Sequence, residues 1–417
     1  MIYQLLRGYA AIGIKFFYKN IFVNTAMIDV DKPLIFASNH PNGFYESIIL
    51  TTIVKKPVYF LVRADYVNIK GLKWIFDIVK LYPIYRQSEG LKDVNKNKTV
   101  FSELNSKLKN RSYVAIYPEG STKFQYYIPA IKKGVARLAT GAVISGVEDL
   151  KVVPVGFNFN APHKFGSFLN VNFNNWIDID REEVMSMDSP VYIRQLTNEI
   201  REGMRTVAFH FENRDRGLLF SKLLEIIINN HKPTAKSSYI FNSELPAITK
   251  TYSLKIDAMP PSKYKELENT TLEYFNILKK EKIDDEVLLK DAPGLWSMIK
   301  YYAGLIFFIP FAFLNILPVL PSIYLYKKVV KQLEYKAVIS VLTAQILYVV
   351  YFFILLIVAL FLFGYYGLVV LILPFTALYA MQYYKFYRDF VSYSGYKKSP
   401  VKDKLKNLRG EIIKKIE

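Results

Sequence analysis

In the first half of the chain, short apolar runs that end in turn residues alternate with stretches of helical periodicity. Apolar runs closed by Pro, Gly or Asn are typical of buried strands. Strands that alternate with helical patterns favour an α/β fold, in which helices cover both faces of a mostly parallel sheet. The predicted strands are a run that starts at residue 34 and breaks at Pro41, then residues 58–63, 112–117 and 152–157, with an edge strand at 169–177. The predicted helices are residues 45–54, 66–80, 92–108 and 190–211, and one that begins near residue 132.

The last third of the chain has the pattern of membrane-embedded helices. Residues 301–325 are apolar but contain three prolines, whereas residues 338–363 and 368–384 carry no charge and are joined by a turn of Gly and Tyr. A helix needs about 20 apolar residues to cross a bilayer, so the last two runs predict a hairpin of spans. Loops rich in lysine stay on the cytoplasmic side. The first run is therefore predicted to be re-entrant, turning back near Asn315 and Pro318.

These patterns divide the chain into five predicted parts. Near the N-terminus, Leu5, Ile12 and Phe16 share a helical face from which the charged residues are absent. This pattern is typical of a helix lying in a membrane interface, and a helix packed on the domain fits it as well. The acidic residues 284–286 are predicted to be solvated. The parts are an interfacial membrane helix at 1–20, an α/β domain at 21–230, a linker and helical connector at 231–290, a membrane-embedded segment at 291–384 and a basic cytosolic tail at 385–417.

Composition and charge narrow the choice of partners. The chain has 55 Lys and Arg against 36 Asp and Glu, a net charge of +19, which favours nucleic acid, an anionic membrane or anionic substrates. Hydrophobic residues make up 52% of the chain and no nucleic-acid-binding signature is present, so membrane lipid is predicted and nucleic acid is not. The absence of cysteine excludes disulfides and thiolate catalysis. His163, His210 and His231 lack a partner at metal-ligand spacing, so no metal site is predicted.

Two polar blocks follow predicted strands. His40 comes after the first strand, in the run Ser-Asn-His-Pro-Asn-Gly, and Glu46 lies a turn or so beyond it. An imidazole can take a proton from a hydroxyl, and a carboxylate at its other nitrogen fixes the tautomer. Residues 118–123, Pro-Glu-Gly-Ser-Thr-Lys, follow the third strand. Because ligands of open α/β sheets bind at the carboxyl ends of strands, a site is predicted there. By itself, the first block also fits a polar loop histidine and a solvated glutamate.

In their order along the chain, four blocks resemble the motifs of the glycerolipid acyltransferases, the PlsC-like glycerol-3-phosphate and lysophosphatidate acyltransferases. The resemblance covers about residues 1–230. The four blocks are the His40 and Glu46 pair, the run 81–86 that ends in Arg86, the Pro-Glu-Gly run at 118–120, and the Pro-containing strand at 152–157.

Two positions depart from the family's pattern. Many members have an Asp five positions after the histidine, where this chain has Tyr45, and the acid here is Glu46. The basic residue that usually comes soon after the Pro-Glu-Gly run is replaced by Thr122, and Lys123 follows it. These departures affect the expected substrate contacts more than the expected class of enzyme.

The resemblance implies transfer of a fatty acyl group from a thioester, on coenzyme A or acyl carrier protein, to a glycerol-type hydroxyl. It implies no cofactor besides that co-substrate. His40 would be the general base and Glu46 the carboxylate that orients it. A guanidinium suits an acceptor phosphate because it can bind two oxygens at once. The candidate substrate-binding residues are Arg86, for the phosphate, with Glu119, Gly120, Ser121 and Lys123 around the acceptor.

The expected function is that of a membrane-bound 1-acylglycerol-3-phosphate O-acyltransferase in phospholipid synthesis. It is expected in the cytoplasmic (inner) membrane, with the catalytic domain facing the cytosol, and no oligomeric state is predicted. The alternatives are a glycerol-3-phosphate O-acyltransferase, an acyltransferase for another lysolipid, and a non-catalytic lipid-binding membrane protein. A serine hydrolase is disfavoured because Ser121 does not lie in a G-x-S-x-G turn.

Overall fold

The computed structural model describes residues 2–24, 31–69, 71–85, 95–231, 239–241, 243–290 and 293–417. The strands are β1 (Asn20–Val23), β2 (Leu34–Ser38), β3 (Val58–Arg63), β4 (Leu81–Ile84), β5 (Tyr113–Ile116), β6 (Lys151–Phe159), β7 (Phe168–Phe173), β8 (Ile177–Asp178) and β9 (Tyr239–Phe241). The α-helices are α1 (Ile2–Phe17), α2 (Tyr45–Ile53), α3 (Ala64–Val67), α4 (Lys73–Ile78), α5 (Lys96–Lys109), α6 (Gly134–Ile144), α7 (Arg181–Ser186), α8 (Ser189–Val207), α9 (Arg214–Asn230), α10 (Leu245–Asp257), α11 (Pro261–Glu281), α12 (Leu295–Ile316), α13 (Leu320–Tyr324), α14 (Leu333–Phe363), α15 (Leu373–Lys398) and α16 (Lys402–Ile416). Short 3₁₀ segments are Asp285–Leu289, Leu317–Val319 and Gly364–Ile372, and Leu325–Val329 is a π-helical segment.

The described strands form one sheet in the order β4-β3-β5-β2-β6-β7-β1-β9, with β8 paired to β6. Six of the eight strand pairs are parallel, and the two antiparallel pairs join β6 to β7 and to β8. The predicted α/β class with a mostly parallel sheet is therefore confirmed. β2 lies near the middle of this order, and all five of its residues are buried. A strand buried on both faces has no polar face, which is why residues 34–38 form a nearly continuous apolar run.

β7 is an interior strand, so the prediction of an edge strand at 169–177 is wrong. It pairs with β6 on one side and with β1 on the other. Its alternation of apolar residues with Asn170 and Asn172 normally marks a solvated face. Here both amides are buried: Asn170 Nδ2 donates to Thr249 Oγ1 at 2.9 Å, and Asn172 Nδ2 donates to the Val207 carbonyl at 3.2 Å. These partners are distant in sequence, so the local pattern does not reveal them.

The core on one face of the sheet is formed with α5, α6 and α8. Ile35 and Ala37 of β2 belong to it, together with buried side chains of those three helices. Side chains alternate along a strand, so Phe36 points to the opposite face. There its ring contacts those of Tyr113 and Phe173, with centroids 5.5 and 6.0 Å apart.

Helical patterns near the N-terminus fold in two different ways. The predicted interfacial helix corresponds to α1, where Ile14 and Phe17 are buried and Leu5 is 66% exposed, and its place in a membrane stays a prediction.

The single helix predicted at 66–80 is wrong, because the structure has two short helices, α3 and α4. Gly71 lies between them at φ +83°, a left-handed conformation that no α-helix contains.

The chain forms two compact units. The first contains residues 1–217 and 235–253, and the whole described sheet lies in it. The second contains residues 218–234 and 254–417 and is helical in its described part. The five-part division predicted from the sequence stays a prediction.

Within the second unit, Asp285 is completely buried, so the prediction that the acidic residues 284–286 are solvated is wrong for this residue. Its carboxylate accepts hydrogen bonds from Arg409 Nε at 2.9 Å, the Tyr274 hydroxyl at 2.5 Å and Asn229 Nδ2 at 2.8 Å. Arg409 is buried as well. The ion pair therefore fastens α16 to the rest of the unit, and its three donors come from segments far apart in the chain.

Two helical stretches, residues 295–329 and 333–398, are long and apolar enough to cross a membrane. The predicted reversal near Asn315 and Pro318 is wrong, because the backbone at Leu317 and Leu320 stays right-handed helical. Proline is tolerated in the first turn of a helix, and Pro318 occupies such a position in its 3₁₀ segment. The predicted turn after the next run is confirmed at Gly364, where φ is +56° and α14 ends.

Candidate active site

The turn between β2 and α2 holds His40 against Glu46. β2 ends at Ser38, Gly43 takes a left-handed conformation at φ +61°, and α2 begins at Tyr45. His40 Nδ1 lies 3.5 Å from Glu46 Oε2, a distance typical of an ion pair and longer than a strong hydrogen bond. The other carboxylate oxygen, Oε1, accepts a hydrogen bond from the backbone N–H of Asn42.

Glu46 is completely buried, and the His40 side chain is 15% exposed. Burial raises the pKa of Glu46, while the interaction of its carboxylate with the His40 ring partly opposes the rise. A carboxylate in the first turn of a helix is also stabilised by the helix dipole. Because Nδ1 faces Glu46, Nε2 is the ring nitrogen left to exchange a proton with a substrate.

The Pro-Glu-Gly block lies beside this pair because β2 and β5 are parallel neighbours, so both strands end at the same edge of the sheet. Tyr117, directly after β5, stacks its ring on that of His40 with centroids 4.2 Å apart, and its hydroxyl is 2.7 Å from Ser47 Oγ. The backbone N–H of Lys123 donates to the His40 carbonyl at 3.1 Å. The two polar blocks are thus parts of one site.

Glu119 is buried at the bottom of this block, with 8% of its surface exposed. Burial raises its pKa from 4.5 to about 8, the charge of Glu46 adds to the rise, and the backbone of His40 partly opposes it. At neutral pH the Glu119 side chain is therefore mostly a neutral acid that can donate a hydrogen bond. A neutral acid does not repel an anionic substrate.

Gly120 turns the chain at φ +71°, a conformation that favours glycine. The side chain of Lys132 lies against it, since Cγ would be 3.4 Å from a Cβ added at position 120. The N–H of Lys132 also donates to the Pro118 carbonyl at 2.7 Å. Sequence analysis missed Lys132 as a site residue, although its place shortly after the Pro-Glu-Gly run is visible in the sequence.

Asn39, the residue before His40, fixes the backbone at the end of β2 through hydrogen bonds to β6. Its Nδ2 donates to the Phe157 carbonyl at 2.9 Å, and its Oδ1 accepts from the Phe157 N–H at 2.7 Å. These two bonds tie the end of β2 to β6, one residue before His40. Sequence analysis missed this residue too, because nothing local distinguishes Asn39 from a solvated turn residue.

Tyr45, five positions after His40, is turned away from the imidazole. Its side chain is 1% exposed and packs against the rings of Tyr18 and Phe17, with centroids 5.7 and 6.1 Å apart. Glu46, one position later, faces His40 instead. The longer spacing thus places a carboxylate at the imidazole in this chain.

The remaining predicted residues divide into three groups. Ser121 is exposed. Lys123 is exposed as well, although its backbone N–H binds the His40 carbonyl. Arg86, the predicted phosphate ligand, lies outside the described residues. Among the described residues, no group of three or more His, Asp or Glu side chains could hold a metal ion.

Comparison with known proteins agrees with this class of site. Residues 20–158, which include the whole of both polar blocks, match the family model described as Acyltransferase. Glycerol-3-phosphate O-acyltransferase 1 of Saccharomyces cerevisiae is 29% identical over 113 residues, 26% of this chain. The chain spans only 15% of the length of that yeast protein. The crystal structure of the 1-acyl-sn-glycerophosphate acyltransferase PlsC of Thermotoga maritima is 17% identical, with a TM-score of 0.36, over 49% of this chain and 78% of that one.

The fold and the paired blocks define an acyltransferase domain, which occupies residues 20–158. The resemblance to the PlsC-like glycerolipid acyltransferases is confirmed for this domain by the family model and by the yeast relative.

Proposed function

We propose that the chain is a membrane-bound O-acyltransferase that moves a fatty acyl group from acyl-CoA or acyl-ACP to 1-acyl-sn-glycerol-3-phosphate. The observation that carries the proposal is the meeting of His40, Glu46 and Glu119 at one edge of the sheet. A base with an orienting carboxylate serves deprotonation of an alcohol. A thioester is already activated, so the protein needs only to place the two substrates and move one proton.

In the proposed step, His40 Nε2 accepts the proton of the acceptor hydroxyl while the hydroxyl oxygen attacks the thioester carbonyl. The new C–O bond forms, the C–S bond breaks, and the imidazolium returns its proton to the leaving thiolate. Glu46 stabilises the imidazolium across 3.5 Å. Glu119, mostly neutral at pH 7, leaves the phosphate of the acceptor unrepelled.

Glycerol-3-phosphate is the second candidate acceptor, and the name of the yeast relative favours it. The chemistry at the hydroxyl is the same for both acceptors. They differ in the acyl chain that lysophosphatidate already carries. The proposed setting is the cytoplasmic membrane with the catalytic unit facing the cytosol. Two stretches long and apolar enough to cross a bilayer support membrane association.

The test is turnover by the detergent-solubilised full chain, with a labelled acyl thioester and each acceptor offered separately. His40→Ala is expected to lower turnover by about 10²–10⁴ because the general base is lost. His231→Ala is the matched control, since His231 lies in the second unit, and it is expected to keep wild-type turnover.

Equal turnover by wild type and His40→Ala would refute the proposed role of the histidine. Binding of lipid without product from either acceptor would favour a non-catalytic lipid-binding protein. Whichever acceptor the wild type consumes identifies the substrate.

A further inference from the structure

The segment between β3 and β4 exposes an unusual amount of apolar surface. In α4, Trp74 is 62% exposed, and none of the six residues of this helix is buried, although four of them are apolar or aromatic. A surface helix of a globular protein normally buries an apolar stripe. These side chains contribute little to the core, so their exposure points to a partner. We call the exposed group the edge surface; it consists of Tyr66, Ile69, Leu72, Trp74 and Ile75.

The edge surface adjoins the active site. β3 is a parallel neighbour of β5, which is a parallel neighbour of β2. The segment after β3 therefore leaves the sheet at the edge where His40 and Glu119 lie. Phe44, four residues after His40, contacts the ring of Tyr66 edge to face, with centroids 5.6 Å apart. A partner covering the edge surface would border the entrance to the site.

Basic residues lie within this surface and along one side of it. Lys73 is exposed within it, and Asn68 Nδ2 donates to the Tyr85 hydroxyl at 3.1 Å, which joins the segment to the end of β4. The first turn of α5 lies there too, with Lys96 over the Tyr85 ring at 5.2 Å and Lys98 exposed. The rim of the edge surface is therefore cationic on the side of α5.

The acidic residues between β3 and β4 do not cancel the positive charge of this rim. Asp65 is paired with Arg63, whose Nε donates to it at 3.0 Å, so this pair contributes no net charge. Asp77 is exposed and is the remaining acid between Arg63 and Tyr85 in the described part of the chain.

Exposed tryptophan and aliphatic side chains with a lysine rim are the features by which a protein surface enters the interface of an anionic bilayer. A bilayer is also the partner that the chain itself indicates, because the chain contains two stretches long and apolar enough to cross one. We propose that the edge surface inserts into the headgroup region of an anionic membrane and seats the active-site edge against it. Acyl donor and acceptor then reach His40 from the bilayer. The delivery of substrates from the bilayer rests on the proposed acyl transfer. The membrane insertion itself is independent of that proposal.

Insertion is tested without substrate, by the fluorescence of Trp74. The chain has three tryptophans. Replacing the other two, Trp176→Phe and Trp296→Phe, leaves Trp74 as the reporter. The full chain is reconstituted into vesicles of phosphatidylethanolamine and phosphatidylglycerol. Quenching is then measured with a lipid spin-labelled near its headgroup and, separately, with iodide on both sides of the membrane. The matched control keeps Trp176 alone, which lies near Lys32 and Lys151, where β6 begins.

The spin-labelled lipid is expected to quench Trp74 and not Trp176, and iodide is expected to quench Trp176 several-fold more strongly than Trp74. Equal iodide quenching of the two, with no quenching by the lipid, would overturn the proposal. Shielding of Trp74 that appears only after an acidic acyl carrier protein is added would overturn it as well, since that protein would then be the occupant.

A second variant measures the consequence for turnover. Leu72→Glu with Ile75→Glu places charge on the edge surface, and Met185→Glu, at a side chain 64% exposed in α7, is the matched control. The double variant is expected to lower turnover of long-chain lysophosphatidate in vesicles by about tenfold, because membrane affinity falls with the apolar area lost. Turnover of glycerol-3-phosphate with a short-chain, water-soluble thioester is expected to stay unchanged.

An equal loss on both substrates would mean that these residues support the site and not membrane contact, and would overturn the proposal. If the wild type is silent on every substrate, the proposed acyl transfer fails while the fluorescence result still decides insertion.

Discussion

Replacing Glu119 by Gln is expected to stabilise the protein at alkaline pH and to leave its stability unchanged in acid. Burial of Glu119 raises its pKa from 4.5 to about 8. Between these two pH values the unfolded chain releases a proton that the folded chain retains, so the folded state loses stability as the pH rises. Below pH 4.5 the carboxyl is protonated in both states and costs nothing. The glutamine side chain of the variant would have no proton to lose and would avoid the penalty.

The size of the effect follows from the difference between the two pKa values, 8 − 4.5 = 3.5. At about 1.36 kcal/mol for each pKa unit, the penalty reaches at most about 5 kcal/mol above pH 8. Some of it is recovered by relaxation around the ionised carboxylate, so we expect Glu119→Gln to gain about 2–5 kcal/mol there. For a protein of 417 residues, that corresponds to a rise in Tm of about 2–6 °C.

The assay is thermal unfolding of the detergent-solubilised full chain at about pH 5 and about pH 8.5, on either side of most of the titration. The variant is expected to gain little at the lower pH and several degrees at the higher one. Glu148→Gln, at an exposed carboxylate, is the control and is expected to show no such pH dependence. A gain that is the same at both pH values, or the same in the control, would refute the assignment of a raised pKa to Glu119.

Three further substitutions test the packing that supports the site and the second unit. Asn39→Ala removes both hydrogen bonds to Phe157 and is expected to cost about 2–4 kcal/mol in thermal unfolding and to lower turnover, because His40 follows Asn39; full activity would contradict its positioning role. Gly156→Ala would place a Cβ 2.3 Å from the Val207 carbonyl oxygen, so a loss of about 3 kcal/mol or failure to fold is expected, and an unchanged Tm would refute this close packing. Asp285→Ala leaves the buried Arg409 unpaired and is expected to cost about 3–5 kcal/mol in thermal unfolding, with much of the loss recovered when Arg409 is also replaced by Met.

The class of fold was predictable from the sequence because its strands are short and differ sharply from their flanks. β2 is a continuous apolar run that Pro41 and Gly43 bring to an end, so its length and the position of the turn follow from local chemistry. The break at Gly364 was predictable for the same reason, since glycine readily takes the left-handed conformation found there. Each of these features depends on residues close together in the chain.

Two predictions of solvent exposure failed because a hydrogen-bond partner distant in sequence buries the polar group. The sequence pattern predicts a solvated face at Asn170 and Asn172, but their amides donate to Thr249 and to the Val207 carbonyl and are buried. It likewise predicts a solvated Asp285, which is buried in an ion pair with Arg409. The local pattern shows a polar residue in each case, and burial of a polar group depends on whether a hydrogen-bond partner is brought to it.

The sequence by itself therefore determined the α/β class, the turn after β2 that presents His40, and the presence of a carboxylate shortly after that turn. Only the tertiary structure decided that β5 lies beside β2, which brings Glu119 next to that pair. It also decided that Asn39 is tied to β6 and that Glu119 is buried deeply enough to hold its proton at neutral pH. The physical reason is that strand order and burial arise from contacts between segments distant in sequence. Periodicity along the chain predicts only local structure, which depends on neighbouring residues.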